Sequence, residues 1–183
     1  MVPEHLRLLA GRVRTVAMEP PPAPWLPVGH YAIGGLTDVG FGPDSEHLLV
    51  ISWSGRGVYD CTTGERVARD KSMDGHWQDC FGLEAKGIGP LADQTVRTAG
   101  LFGGGLPLTT RDGWRVERLT LDWPKDCLIL VPPGASLFGD QYVKPTRYVK
   151  VAVEADVRAW GFSPSGKTLV LATNGELTVF KRP

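Results

Sequence analysis

The sequence predicts an all-β fold built from about four antiparallel sheets. Three apolar runs support this prediction, because runs of four residues without alternation suit strands that are covered on both faces. The runs are Leu48–Ile51, Leu128–Val131 and Leu169–Ala172. A turn containing proline precedes each run and a second turn follows it, as expected where hairpins join neighbouring strands.

The spacing of these units predicts a repeat of about 40 residues. The prolines before the three runs are Pro43, Pro124 and Pro164, so the wider first interval has room for one further unit. We expect that unit near residue 83, with its second turn near Gln94 and a strand over Thr95–Thr98. Residues Leu83–Leu91 are poorly suited to an inner strand, so the repeat is degraded there.

An overlay of two parts of the chain supports the repeat. A shift of 121 residues places Gly40 on Gly161 and Leu48 on Leu169 without a gap. The same shift pairs Phe41 with Phe162, Pro43 with Pro164, Val58 with Val179 and Tyr59 with Phe180.

The chain is predicted to consist of an N-terminal segment, residues 1–28, followed by one all-β domain, residues 29–183. Residues 4–17 fit either a helix or a strand, and Arg12–Ala17 is expected to supply the strand that joins the two ends of the array. Five prolines within Pro20–Pro27 favour an extended strap of polyproline II type. The alternative for these prolines is a P-x-x-P ligand for a partner.

Two stretches, residues 29–70 and 156–181, resemble WD40-type β-propeller repeats. The first has Gly29-His30 at its start, the turn residues Asp38–Asp44 before its inner strand and Thr63–Val67 at its close. This resemblance implies a small propeller-like array of sheets and a role in binding other proteins. The open alternatives are a β-sandwich, a partial propeller completed by another chain, and a chance alignment of turns in an all-β chain.

Composition excludes several function classes. The chain has 183 residues with 20 basic and 20 acidic side chains, so it lacks the basic surplus typical of nucleic-acid binding. No apolar run is long enough to predict a membrane span. The three cysteines form no C-x-x-C pair, so we expect neither a disulfide framework nor a structural zinc site, and a reducing, cytoplasmic setting.

Two glycine-containing motifs resemble nucleotide-binding loops. Gly161–Thr168 matches the P-loop pattern G-x-x-x-x-G-K-[ST], but a strand and an Asn-Gly turn are predicted after it instead of the helix that such a site needs. Gly103–Gly105 lacks the spacing of a dinucleotide site and predicts a loop or a close backbone approach. We therefore expect no cofactor and no metal site.

The candidate site residues come from the tryptophans and the chain around residues 76–80. Trp and Arg dominate interface hot spots, and several tryptophans fall at predicted turns. The predicted partner-binding residues are Trp53, Arg56, His76, Trp77 and Trp114.

These observations favour a non-catalytic protein-interaction module, acting as a subunit, scaffold or inhibitor of another protein. The first alternative is a small hydrolase-type enzyme that uses the His76–Cys80 cluster, since a histidine next to a cysteine can activate the thiol. The second is a structural piece that completes a larger ring with a second copy of itself.

Overall fold

The computed structural model describes residue 4 and residues 7–72, 75–138 and 146–183. These ranges contain one α-helix, α1 (Arg7–Thr15), and 15 β-strands. The strands are β1 (Leu26–Ala32), β2 (Leu36–Phe41), β3 (His47–Ser52), β4 (Gly55–Asp60), β5 (Arg66–Asp70), β6 (Gln78–Asp79), β7 (Glu84–Lys86), β8 (Thr95–Arg97), β9 (Ala99–Gly100), β10 (Arg115–Asp122), β11 (Lys125–Val131), β12 (Val149–Glu154), β13 (Val157–Phe162), β14 (Thr168–Thr173) and β15 (Glu176–Lys181).

The strands form four antiparallel sheets, which confirms the predicted all-β class. The strand orders are β1-β15-β14-β13, β10-β11-β12, β5-β4-β3-β2-β9 and β6-β7-β8. The chain divides into two compact units. The first holds the chain up to Ala23 with Leu108–Asp156, and the second holds Pro24–Pro107 with Val157–Pro183. Whether residues 29–183 fold as one domain is a question of stability and stays a prediction.

The first unit packs helix α1 with the sheet β10-β11-β12. Leu9 and Val13 are buried in one cluster with Ile129 and Val131 of β11, the strand predicted from the second apolar run. The expectation of a closing strand over Arg12–Ala17 is therefore wrong for most of that stretch. The spacing of Leu9 and Val13 places both on one face of a helix, and burial of that face decides between the two readings.

The strand that joins the two ends of the second unit is β1. Its residues from Leu26 to Ala32 pair with β15, so that Leu26 lies opposite Lys181 and Ala32 opposite Glu176. The proline-rich segment is thus shorter than predicted, because strand pairing already begins at Leu26. Pro27 is tolerated there since β1 is the edge strand of its sheet and the pairing register shifts between Pro27 and Gly29.

The strand bounds confirm the predicted overlay of the two related parts of the chain. A shift of 121 residues carries β2, β3 and β4 onto β13, β14 and β15, with identical starts and ends. The paired positions Leu48 and Leu169 are both fully buried. The related sequences therefore form the same three-stranded hairpin unit twice within the second unit.

The expected degraded unit is the small sheet β6-β7-β8. Strand β8 over Thr95–Arg97 lies where the sequence predicts it. The connection from β7 to β8 contains a 3-10 turn at Gly89–Leu91 with proline at its start, which shortens the sheet. This irregular part of the repeat carries the candidate site described below.

The segment that matches a P-loop is a β-hairpin. Strand β13 ends at Phe162 and β14 begins at Thr168, so no helix follows the glycines. Within the second unit, Phe162 is fully buried and stacks on Trp25, with ring centroids 5.5 Å apart. In the part of the chain that the structure covers, no helix is long and apolar enough to cross a membrane.

Candidate functional site

An aromatic cavity of about 230 Å³ opens on the second unit. Its walls come from β2, β3, the β3–β4 turn and the chain around residues 75–80 and 102. The lining residues are Thr37, Ile51, Ser52, Trp53, Gly75, Trp77, Gln78, Cys80 and Phe102. Three aromatic rings thus surround a space that suits one inserted side chain better than a drug-sized ligand, which needs roughly 300 Å³ or more.

Trp53 is displayed by the tight turn between β3 and β4. Its backbone N–H donates to the carbonyl oxygen of Gly35 at 3.0 Å. A Cβ on Gly35 would lie 2.6 Å from Cδ1 of the Trp53 ring, and the φ of Gly35 is +68°. A glycine is therefore required beneath the indole, both for its space and for its backbone conformation. In this position the Trp53 side chain is 64% exposed.

Trp77 is held from the neighbouring sheet by Arg56. The guanidinium carbon of Arg56 lies 4.8 Å from the Trp77 ring centroid, within the range of a cation–π contact. Arg56 also forms an ion pair with Asp70 at 3.0 Å, with side chains 11% and 29% exposed. A third bond runs from Nη1 of Arg56 to the carbonyl oxygen of Lys86. The cation–π contact covers one face of the Trp77 ring, and the other two bonds hold Arg56 in place.

Exposed apolar side chains surround the cavity or adjoin its lining residues in the chain. Phe102 is 45% exposed and Leu101 42% exposed, while Phe81, next to Cys80, is fully exposed. Together with Trp53 these residues define what we call the aromatic face: Trp53, Phe81, Leu101 and Phe102. Exposed apolar side chains that cluster on a folded protein mark interaction sites, and Trp53 and Phe102 line the same cavity.

Asp38 is a buried carboxyl group close to this cavity. The residue is fully buried in β2, and Nε2 of Gln78 donates to its Oδ2 at 3.3 Å. Its Oδ1 has no hydrogen-bond partner among the described residues. Burial raises the pKa of Asp38, and hydrogen bonding from Thr37, Gln78 and the Phe102 backbone, followed by the charge of Arg158, opposes that rise. Gly100 lies directly opposite in β9, where a Cβ would come within 2.8 Å of Oδ1.

His76 and Cys80 are turn residues on either side of the short strand β6, and they do not lie in a helix. Residues four apart therefore do not stack on one face, and no hydrogen bond between the two residues is found in the described chain. His76 is exposed, whereas Cys80 is half-buried and lines the aromatic cavity. Burial, followed by the charges of Asp38 and Asp79, raises the pKa of the Cys80 thiol. A raised pKa lowers the thiolate fraction, which is the opposite of what activates a cysteine nucleophile.

The structure brings together three of the five predicted site residues. Trp53 and Trp77 line one cavity, with Arg56 against the Trp77 ring, and His76 is their exposed neighbour. Trp114 instead is 6% exposed and lies in the first unit, so it is not part of the site.

Sequence reasoning missed Phe81, Leu101 and Phe102, which are exposed apolar side chains that line the cavity or adjoin its lining residues in the chain. Phe81 and Phe102 each precede a glycine, Gly82 and Gly103, and an aromatic residue beside a loop glycine is the one local signal that points to them.

The described residues contain no group of three or more His, Cys, Asp or Glu side chains placed to hold a metal ion. The three cysteines are unpaired thiols, with Cys61 and Cys127 buried. No protein-family model, curated protein or solved structure matches the chain.

Proposed function

We propose that the chain is a non-catalytic protein-interaction module that binds a partner protein through the aromatic face. The observation that carries this proposal is the exposed Trp53 ring beside a cavity that Trp77 and Phe102 also line. Contact between these apolar rings and water is unfavourable. A partner that covers the rings removes them from water, and this favours binding. The module acts as a subunit, scaffold or inhibitor, and its WD40-like repeats are the scaffold that presents the face.

The geometry favours insertion of one apolar or aromatic side chain of the partner into the cavity. Interface hot spots are well-packed, desolvated pockets in which Trp, Tyr and Arg dominate. Arg56 already occupies one side of Trp77, so the cavity is partly pre-organised, which reduces the ordering cost of binding. The reducing, cytoplasmic setting expected from the cysteines belongs to the same proposal.

The test compares capture by the wild-type protein with capture by Trp53→Ala and Phe102→Ala. A protein retained by the wild type is identified, purified and measured for affinity with each variant. We expect each substitution to weaken binding about 30-fold, as hot-spot truncations of about 2 kcal/mol do. Leu8→Ala is the matched control, because it removes an 80%-exposed apolar side chain from α1 in the other unit.

Two results would contradict the proposal. One is a purified partner whose affinity is the same for wild type and both aromatic variants. The other is a wild-type protein that retains nothing at low salt and stays monomeric in light scattering. Self-association that Trp53→Ala abolishes would instead identify the partner as a second copy of the chain.

A further inference from the structure

A second cavity, of about 430 Å³, lies elsewhere in the second unit. Its volume is within the range of small-molecule sites, which are mostly apolar with a few polar groups. The apolar walls are formed by Phe41, Pro43, Leu83, Leu106, Pro107 and Pro164. None of these residues lines the aromatic cavity, so the two sites are built from different side chains.

Two side chains in this cavity offer hydrogen-bond donors that the described chain does not use. Arg97, in β8, lines the cavity as a solvent-exposed side chain, and its guanidinium group forms no hydrogen bond or ion pair within the described ranges. Glu84 lies opposite Arg97 in the β7–β8 pairing, yet the two are not joined by an ion pair. Thr98 also lines the cavity and is only 5% exposed, and its hydroxyl group has no hydrogen-bond partner among the described residues.

The backbone over 104–106 adds further unused donors to the wall. The N–H groups of Gly104, Gly105 and Leu106 donate no hydrogen bond to any described residue; the two glycines are exposed and Leu106 is buried. Glycine is needed at position 104, where φ is +79° and a Cβ would lie 2.2 Å from the carbonyl oxygen of Thr98. This close approach holds the 104–106 backbone against Thr98 at the cavity wall.

Each of these unused groups can donate a hydrogen bond to an acceptor, and one of them is a cation. An ionised carboxylate is an acceptor-only group, and its two oxygens fit the fork of an arginine. The remainder of the cavity is apolar, so the rest of the ligand must be apolar as well. Arg97 is the one charged side chain among the described residues that line the cavity, which matches a ligand with a single negative charge.

We propose that this cavity binds a small apolar carboxylic acid. The carboxylate lies against the Arg97 guanidinium group, the Thr98 hydroxyl and the 104–106 backbone, and the apolar body lies among Phe41, Leu83 and Leu106.

The test titrates the full chain with 2-naphthoate in a calorimeter and compares it with 2-naphthalenemethanol, which has the same ring system without the charge. Octanoate is a second acid with a different apolar body. We expect saturable binding of at least one acid and affinity at least about tenfold lower for the alcohol, as for a charge-assisted contact. Neither acid binding with a Kd below about 1 mM would overturn the proposal.

Variants locate the binding. Arg97→Gln is expected to weaken acid binding about tenfold or more, and Thr98→Val to weaken it less while the cavity keeps its shape. Glu84→Gln is expected to strengthen it, because it removes the acid that faces Arg97 across the strand pair. Arg66→Gln, an exposed arginine in β5 outside this cavity, is the matched control and should have no effect.

Acid binding that neither Arg97→Gln nor Thr98→Val changes would place the ligand elsewhere and overturn the proposal. Thermal unfolding of each variant shows whether it is folded. If Arg97→Gln does not fold, the binding measured with Thr98→Val tests the proposal. The outcome is independent of the proposed protein-binding role, since Trp53→Ala should leave acid binding unchanged.

Discussion

The guanidinium group of Arg56 lies over the ring of Trp77, with its central carbon 4.8 Å from the ring centroid. Arg56 belongs to β4 and Trp77 immediately precedes β6, so this contact joins two sheets of the second unit. The same guanidinium group bonds to Asp70 and to the carbonyl oxygen of Lys86. The Arg56 side chain therefore holds Trp77, one wall of the aromatic cavity, in place.

Replacing Arg56 should destabilise the protein and loosen the site together. Arg56→Met keeps much of the apolar stem but removes three charge-assisted contacts, so we expect the free energy of unfolding to fall by about 2 kcal/mol. Urea unfolding followed by tryptophan fluorescence measures this change. Arg66→Met, at an exposed position in β5 where the side chain forms no bond to the described chain, is the control and should change stability little. Equal effects of the two substitutions would contradict the role given to Arg56.

The reactivity of Cys80 distinguishes a binding surface from a thiol enzyme. Burial raises the pKa of its thiol, so alkylation by iodoacetamide should be slower at neutral pH than for an ordinary cysteine. The rate should keep rising through about pH 9 without levelling off. Cys61 and Cys127 are buried and should react more slowly still, and Cys80→Ala assigns the faster phase. A plateau near neutral pH would mean an activated thiolate and would favour the hydrolase alternative.

The buried carboxyl group of Asp38 should make stability depend on pH. Because burial raises its pKa in the folded state, the folded protein holds this proton more tightly than the unfolded chain does. Its favourable contribution is complete below the unfolded pKa of about 3.9 and is lost as the pH rises through the folded value.

Asp38→Asn removes this titration while it keeps the shape of the side chain. We expect the stability of the variant relative to wild type to improve as the pH rises above about 4, the pKa of the unfolded carboxyl group. Chemical unfolding at several pH values measures the difference. Asp44→Asn, in the turn after β2, is a control for a change of charge in the same unit. A difference that stays constant with pH would show that Asp38 keeps an ordinary pKa.

Lys150 docks the end of helix α1 on β12 in the first unit. Its side chain is buried, and Nζ donates to the carbonyl oxygen of Val13 at 2.9 Å. A cation at a helix C-terminus bonds to carbonyl groups that have no partner within the helix. Lys150→Met should therefore lower the free energy of unfolding by about 1–3 kcal/mol, measured by urea unfolding followed by circular dichroism. Lys125→Met, an exposed lysine at the start of β11, should cause a much smaller loss.

The repeated hairpin unit could be predicted from the sequence because its signals are local. Proline and glycine turns bound the apolar runs on both sides, and the runs at Leu48 and Leu169 are buried in matching strands. A turn and a short apolar run need no information from distant residues. The alignment of β2–β4 with β13–β15 at a shift of 121 residues follows directly from these local signals.

Features that depend on distant contacts could not be predicted in the same way. Helix α1 and a strand over Arg12–Ala17 fit the same residues, and burial against β11 decides for the helix. The strand that joins the two ends of the second unit is the one that pairs with β15, and local sequence does not determine which segment that is. Similarly, Trp114 and Trp53 both fall at turns in the sequence, yet only the surrounding packing determines that one is buried and the other exposed.

The pairing of β1 with β15 also sets an order of events during synthesis. β1 is made well before β15, its one strand partner in the described chain, so its backbone groups wait unpaired while about 140 residues are added. Until β15 emerges, this strand is an open edge that other chains can pair with. The sheet that joins both ends of the second unit is thus necessarily the last to close, and nascent chains stalled before Glu176 should be the species most prone to aggregation.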